Sequence, residues 1–411
     1  MKLTLVISNL LTGTNLTYTK AYNFRIVFET IRLFGPISRA DVARRTSLTA
    51  QTVSNIVSRL LDQNFVQEGK KLQKQRGAPS TTLEVNPEGA YSVGLDFNRD
   101  HLTGILVDLA GTLKTKIFYE VDSPHPEEAI KLMVSTIQQL TASEEVKRSH
   151  FCGVGICIPG PLEINKNNEI SNTINPKAFP NWKHVPIGEM LKEHINAPLF
   201  IDNNASAATI GERWYGAGKN ISNFVYAFFG VGLGGGLVLN GNLYEGQNQN
   251  AGEFGYLPYY GEKSPLSDSD QPHIGEHFDL KKLYKWLQQF GVKANRPEDL
   301  GYLYEDKNEY FMSWLESAKQ YLAEIFLIAE YFIDMEVVIL GGRIPTAILE
   351  DIASVLPDKI ASYRKELKTS SPIFQCGTAG SDAAALGAAT LPMFDLFAAQ
   401  ADVLIKNNSS D

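Results

Sequence analysis

The stretch Ser38-Arg39-Ala40-Asp41-Val42-Ala43-Arg44-Arg45-Thr46-Ser47-Leu48-Thr49-Ala50-Gln51-Thr52-Val53-Ser54-Asn55-Ile56-Val57-Ser58-Arg59-Leu60-Leu61 reads as two short helices joined by a tight turn. Ser38 followed by Asp41 has the pattern of a capping box, and Thr49 is placed to cap the second helix. Val53, Ile56, Val57, Leu60 and Leu61 recur at three- and four-residue spacing and make a buried stripe. Gln51, Thr52, Asn55 and Arg59 fall on the opposite face, where such side chains suit base edges and phosphates of duplex DNA. Arg39 and Thr49 flank that face. Upstream, Phe24, Val27, Phe28 and Ile31 supply a third helix for a small core. Downstream, Phe65–Glu68 and Thr81–Val85 alternate like strands, and Gly69–Pro79 between them carries Lys70, Lys74 and Arg76. A hairpin with a basic tip fits the wing of a winged helix-turn-helix.

Charge agrees with a nucleic-acid partner. From residue 20 to 80 there are eleven Lys and Arg against four acids, within a chain of net charge −8. A basic head on an acidic body is the electrostatic footprint of a DNA reader joined to an effector domain. The alternative is a three-helix module for protein contact, with its positive charge merely solvated.

At 411 residues the chain is long enough for two or three domains with sizeable cores. The expected division is a tail over 1–19, the winged head over 20–88, a larger body over 89–396 and a tail over 397–411. No apolar run reaches membrane-spanning length, and the start, Met1 to Leu11, lacks a signal-peptide cleavage pattern. Three cysteines, Cys152, Cys157 and Cys376, argue against a disulfide framework and for the cytoplasm.

The body shows one layout twice. Tyr91–Asp96, a turn, Leu102–Asp108 and the turn Ala110–Thr112 lead to a third strand. Phe224–Phe229, a glycine loop over Gly230–Gly236, Leu237–Leu239 and the turn Asn240–Asn242 repeat it. That is the signature of a duplicated α/β architecture with a cleft between lobes. Gly232, Gly234 and Gly235 in the loop permit close backbone approach to phosphate oxygens, although such glycines also serve plain turns. Val337–Gly342 reads as a buried strand ending in a glycine pair, and Ala383–Ala389 as a small-residue helix able to pack closely. Amides and carboxylates gather at strand ends: Asn175, Asn203 and Asn204, and Glu253 between glycines. They suit sugar hydroxyls, which need many directional hydrogen bonds. Each also serves as a helix cap or turn residue, and for Asp202 and Asn203 the two readings stand level.

Taken together, the Ser38–Leu61 reader, Gly155–Pro161, Asp202–Ala208, Gly230–Gly236, Gly252–Tyr256 and Val337–Gly342 resemble the ROK family (repressors, open reading frames, kinases) in its subgroup with an N-terminal winged helix-turn-helix. The resemblance runs from about residue 20 to 395. It implies an α/β body of two actin-like, hexokinase-type lobes, each ribonuclease H-like. It also implies a sugar or sugar phosphate in the cleft, and a homodimer or homotetramer.

Departures from the family pattern bear on function. Family kinases carry Asp-x-Gly-Gly-Thr after the first strand, and here the residues are Asp96-Phe97-Asn98-Arg99-Asp100. Their catalytic Asp sits in Asn-Asp-Ala-Asn, and here the motif is Asn203-Asn204-Ala205-Ser206. An amide cannot take a proton from a sugar hydroxyl, and general-base help is worth roughly 10²–10⁴-fold. The resemblance also implies zinc held by a His and three Cys. Tyr256 stands at the His position and Lys263–His277 holds no cysteine, so no zinc is expected there. A different metal site around His273, Glu276 and His277 is a minor alternative. The sugar-contacting Glu that follows the last zinc cysteine in the family maps nearest to Glu276.

The resulting expectation is a sugar-responsive DNA-binding regulator without cofactor. Its effector contacts are Asn175, Asn203, Asn204, Glu253, Tyr256 and Glu276. An ATP-dependent sugar kinase carrying a DNA head, and a DNA-bound scaffold with a dead cleft, remain the alternatives.

Overall fold

The computed structural model describes residues 14–72, 80–142, 146, 151–160, 162–164, 170–173, 181–259, 264–267, 270–364 and 371–404. Lys74 and Arg76 at the wing tip and Asn175 in the body lie outside the described residues.

The head begins with α1 (Leu16–Phe34), four residues before the boundary expected at 20. Asn15 starts it by accepting from the amides of Thr17 and Tyr18. β1 (Ile37–Ser38), α2 (Arg39–Thr46) and α3 (Ala50–Asp62) follow. Ser38 accepts from the Asp41 amide as a cap, but the Asp41 carboxylate takes the Ser38 hydroxyl at 2.7 Å rather than the backbone amide a capping box would use. Ser47 turns the chain between α2 and α3 with a left-handed φ of 56°. Val53, Val57 and Leu60 of α3 are fully buried with Val27, Phe28, Ile31 and Val42. β2 (Val66–Leu72) and β3 (Ser80–Val85) pair antiparallel, with β1 on the far side of β3. Three helices and a winged sheet are thus present.

The first lobe holds β4 (Tyr91–Phe97), β5 (His101–Asp108), β6 (Leu113–Glu120), α4 (Pro126–Thr141), β7 (Phe151–Ile158), a β8–β9 hairpin (Leu162–Ile164, Ile170–Thr173), α5 (Ile187–Lys192), β10 (Leu199–Asn203) and α6 (Asn204–Tyr215). The second holds β11 (Phe224–Phe229), β12 (Leu233–Leu239), β13 (Asn242–Leu243), α7 (Leu280–Gln289), α8 (Pro297–Glu305), α9 (Glu309–Ile333), β14 (Val337–Gly342), α10 (Thr346–Tyr363), β15 (Ile373–Cys376) and α11 (Ala383–Phe397). The main sheets run β10-β7-β4-β5-β6 and β13-β12-β11-β14-β15. In each, three antiparallel strands continue into two parallel ones, so the duplication read from the sequence is a duplication of topology.

The glycine run is not one loop. Gly234, Gly235 and Gly236 lie inside β12, opposite Phe228, Ala227 and Tyr226. A side chain at Gly235 would strike Phe254, and one at Gly236 would strike Thr209 of α6. Three glycines there let a helix and a ring lie against the sheet, and only Gly230–Gly232 forms the turn.

α11 crosses back from the second lobe to lie on β4 and β7 and along α6. A Cβ on Gly387 would come 1.8 Å from the Ala207 carbonyl oxygen, so the two helices touch backbone to backbone. The end of α11 enters the head: Phe397 stacks on Phe28 at 4.3 Å and meets Phe65 edge-on at 4.8 Å. Residue 397, expected to open a tail, is therefore core, and Ala401–Leu404 form a further turn beside α1. Among the described residues no helix is long and apolar enough to cross a membrane.

Candidate functional site

A cavity of about 660 Å³ opens between the lobes. The C-terminal end of β10 feeds it. Asn203 caps α6, accepting from the Ser206 amide at 2.7 Å, and so projects beside the cavity with Asn204. Asn204 Nδ2 donates to Asp96 Oδ1 across the sheet, while its Oδ1 is buried with no hydrogen-bond partner. Asp202, by contrast, turns its carboxylate to the Asn203 amide at 2.7 Å and does not line the cavity. Burial pushes its carboxyl up to about 7, and the nearby Glu245 charge adds to the rise.

Gly252 has a left-handed φ of 92°, and a Cβ there would lie 2.6 Å from the Gly235 carbonyl oxygen. The turn so made puts Glu253 against Pro159 and Gly160 in the cavity wall. Burial raises the Glu253 carboxyl to about 7. Tyr256 and Glu276 line the same space, so all five expected effector contacts among the described residues converge on it. Gly232 and Gly234 line it too, whereas Gly235 does not.

His273 and His277 part company. His277 turns into the core, with Ser264 Oγ at 2.8 Å and the Trp314 carbonyl at 3.2 Å, and burial depresses it to about 4. His273 lines the cavity beside Tyr256, ring centroids 5.2 Å apart. The two rings share no helix face with Glu276, and no group of three His, Cys, Asp or Glu suited to a metal occurs among the described residues. The zinc of the family does not fit here: it lacks its His and its cysteines.

The corner at the end of β4, between the lobes, is filled by charge. His101 Nε2 faces Asp96 at 3.1 Å and its Nδ1 faces Asp100 at 2.7 Å. Burial alone would depress this imidazole, but the two carboxylates outweigh it and raise it to about 9. Burial likewise opposes ionisation of Asp100, yet His101 and Arg343 hold it well below the usual carboxylate range. Arg343, at the end of β14, reaches Asp100 at 2.7 Å, and Arg99 reaches Asp279 at 2.9 Å, both across the cleft. Phe97 plays no part in this: it is fully buried and packs on Trp182 at 5.1 Å. Alternation along β4 sends it to the core.

In the head, Thr49 caps α3 by accepting from the Thr52 amide, and Gln51 donates to Asn55 one turn on at 3.0 Å. Gln51, Asn55 and Arg59 are exposed, opposite the buried stripe. Arg59 lies over the Phe24 ring at 4.9 Å, and Arg39 pairs with Glu68 at 3.1 Å at the root of the wing, where Lys70 is exposed.

One helix touches both regions. α6 starts at Asn204 in the cavity and ends at Trp214-Tyr215 under the head. There Arg32 of α1, buried and paired with Glu29 at 2.6 Å, donates to the Trp214 carbonyl at 2.5 Å and covers the indole at 4.6 Å. The sequence did not single out Arg32, Trp214, Arg99, Asp279 or Lys282, because their partners are up to 182 residues away.

The sequence matches the profile of the ROK family over residues 92–393. The chain belongs to the ROK family. Over 241 residues it is 33% identical to the xylose repressor of Bacillus spizizenii, covering 59% of this chain and 61% of that protein, which is less than two thirds of the relative's length. A ROK family transcriptional regulator described as a homolog of the Escherichia coli MLC protein superposes with a TM-score of 0.70 at 19% identity, covering 92% of this chain and 98% of that one. A ROK family glucokinase from Streptomyces griseus, in complex with glucose and AMPPNP, superposes at 0.60 and 17% identity, covering 74% and 99%. These two likenesses are likenesses of fold.

Proposed function

We propose that this ROK chain is a sugar-responsive DNA-binding transcriptional regulator of the cytoplasm, a repressor of carbohydrate-utilisation genes that holds its effector without phosphorylating it. The observation that carries this reading is α6. Its first turn supplies Asn203 and Asn204 to the cavity, and its last supplies the Trp214 carbonyl to Arg32 of the winged head. A 12-residue helix is about 18 Å long and moves as a rod. Effector contacts at one end thus bias the seating of the DNA reader at the other. Gln51, Thr52, Asn55 and Thr49 read bases, with Arg39, Arg59, Lys70, Lys74 and Arg76 on the backbone. Two copies, in a homodimer or homotetramer, grip half-sites of a pseudo-palindromic operator, and the bound sugar shifts their relative placement.

Catalysis is not part of this reading. Asn204 cannot act as a base, and its amide already serves Asp96. The retained Gly341-Gly342 end lines a second cavity of about 400 Å³ that shares no lining residue with the first. Arg99 and Asp279, paired with one another, line the first, and Arg343, paired with Asp100, lines the other. The glycine pair is what favours the kinase alternative.

Fluorescence anisotropy on duplexes selected by the full chain, with and without a monosaccharide panel, tests the proposal. One sugar is expected to weaken DNA binding by about 5–150-fold, with no ADP formed from ATP in a coupled assay. Steady ADP release dependent on that sugar supports the kinase instead. DNA binding untouched by every sugar supports a scaffold with a dead cleft.

A further inference from the structure

We propose that His101 is a positioning residue: it ties Asn204, in the cavity end of the first lobe, to Arg343 of the second lobe through an unbroken chain of side chains. This deepens the regulator reading above and rests on it only for what the tie does to sugar.

The chain starts at Asn204 Nδ2, which donates to Asp96 Oδ1. Cys157 Sγ donates to the same oxygen at 3.6 Å. Asp96 Oδ2 faces His101 Nε2 at 3.1 Å, His101 Nδ1 faces Asp100 Oδ1 at 2.7 Å, and Asp100 Oδ2 accepts from Arg343 Nη1 at 2.7 Å. An ionised carboxylate only accepts, so both ring nitrogens carry hydrogen and the imidazole is a cation. A neutral ring has one hydrogen and would turn a lone pair on one of the two carboxylates. Arg343 Nη1 also stands 3.2 Å from His101 Nδ1. Two donors do not bond, so Asp100, giving one oxygen to each, is what holds them together. Two cations and two carboxylates leave the cluster balanced.

One end of the tie decides what Asn204 offers. A carboxamide that turns over exchanges donor for acceptor. Asp96 admits only the Nδ2 end, which leaves Oδ1 buried without a partner. His101 holds Asp96 in that place. The other end reports the seating of the second lobe, because Arg343 directly follows β14 and its amide donates to the Phe229 carbonyl at the end of β11. Asp100, His101 and Arg343 do not line the larger cavity, yet they bear on a residue that does. Lys281–Asp122 and Arg296–Glu120 also cross between the lobes, but their carboxylates are exposed and water screens them.

Around the ring stand Asp96 of β4, Asp100 of the β4–β5 turn, Arg343 after β14 and the Phe118 ring of β6 at 6.1 Å, with Tyr284 of α7 in the field of Asp100 and Arg343. The imidazole is raised from 6.5 to about 9, so its contribution to stability is complete below about 6.5 and is lost as pH rises through about 9.

The test is nuclear magnetic resonance of the full chain without sugar, with isotope-labelled histidine rings and asparagine amides. His101→Gln and Asn204→Ala identify the two signals by their loss. His101 is expected to carry hydrogen on both nitrogens at neutral pH, and the Asn204 side-chain amide to exchange slowly. Arg343→Gln is expected to speed that exchange by about ten-fold or more, and Arg343→Lys, which keeps a cation for Asp100, to restore part of the protection. Thermal unfolding shows which variants fold, and Asp100→Asn repeats the test if Arg343→Gln does not. A bare ring nitrogen at neutral pH, or unchanged Asn204 exchange in the folded variant, overturns the inference. Calorimetric titration with D-xylose, D-glucose and D-ribose then measures the consequence. A sugar that binds the wild type is expected to bind about five-fold or more weakly to Arg343→Gln and to Asp100→Asn, and no more weakly to the double variant. Additive losses overturn the shared route. Binding of none of the three sugars by the wild type counts against the effector in the regulator reading, and the tie then stands or falls on the resonance result.

Discussion

Glu253 lines the cavity with its ionisation shifted by burial. A carboxylate that accepts sugar hydroxyls binds best when ionised, and burial has moved its ionisation up to about 7. Sugar affinity is therefore expected to rise between pH 6 and 8 and then level off, because below pH 7 a proton must leave as the sugar binds. Asp202 is raised into the same range but lies behind the Asn203 amide, outside the lining. Titration calorimetry of Glu253→Gln across that range separates the two: a flat profile assigns the dependence to Glu253, and an unchanged slope removes it from that residue. At this scale the sequence was legible where a motif fixed the neighbours. Asn203, Asn204 and Glu253 could be read because strand, turn and glycine surround them in order. The place of His273 in the cavity wall could not, since it depends on the Tyr256 loop folding beside it.

Among elements, α3 and α6 would carry the two halves of the proposed function. On that proposal the exposed face of α3 sorts into base readers and backbone holders. Gln51→Ala or Asn55→Ala is expected to relax base preference at single positions, each mismatch losing about 1–3 kcal/mol of discrimination. Arg59→Ala should weaken all sequences alike and flatten the salt dependence by about one unit of slope, with a further small loss of stability of about 0.5–1 kcal/mol from the Phe24 contact. Anisotropy on a set of single-base variants distinguishes them, and equal losses on every duplex for Gln51→Ala would remove it from base reading. For α6 the informative change is Arg32→Lys. It keeps the charge beside Glu29 but loses the planar fork that also holds the Trp214 carbonyl. Sugar is expected to bind within about two-fold of wild type while its effect on DNA affinity falls by at least half of the coupling free energy, itself about 1–3 kcal/mol. An intact response in this variant would move the coupling elsewhere, for example to the Phe28–Phe397 contact of α11. The amphipathic period made α3 plain in the sequence. β12 was read as loop because three glycines hide its strand character, and glycine is chosen there for close packing on α6 and Phe254.

At the scale of the whole molecule, head and body form one packed unit, with Val27, Phe28 and Ile31 in the same cluster as Trp214, Met393 and Phe397. The duplicated lobes were legible because each repeats strand, turn and strand at similar spacing. The joining of head to body was not, because it depends on α11 returning from the far end of the chain. Across the cleft, the Arg99–Asp279 and Arg343–Asp100 ion pairs join the two lobes. Two sites on one rigid framework must obey linkage: whatever sugar does to DNA affinity, DNA does to sugar affinity. Calorimetric titration of the effector sugar into the full chain, alone and saturated with its selected duplex, measures this directly. The sugar dissociation constant should be weaker on DNA by the same factor by which saturating sugar weakens the duplex, about 5–150-fold. Identical sugar affinity in the two titrations would contradict a coupled regulator.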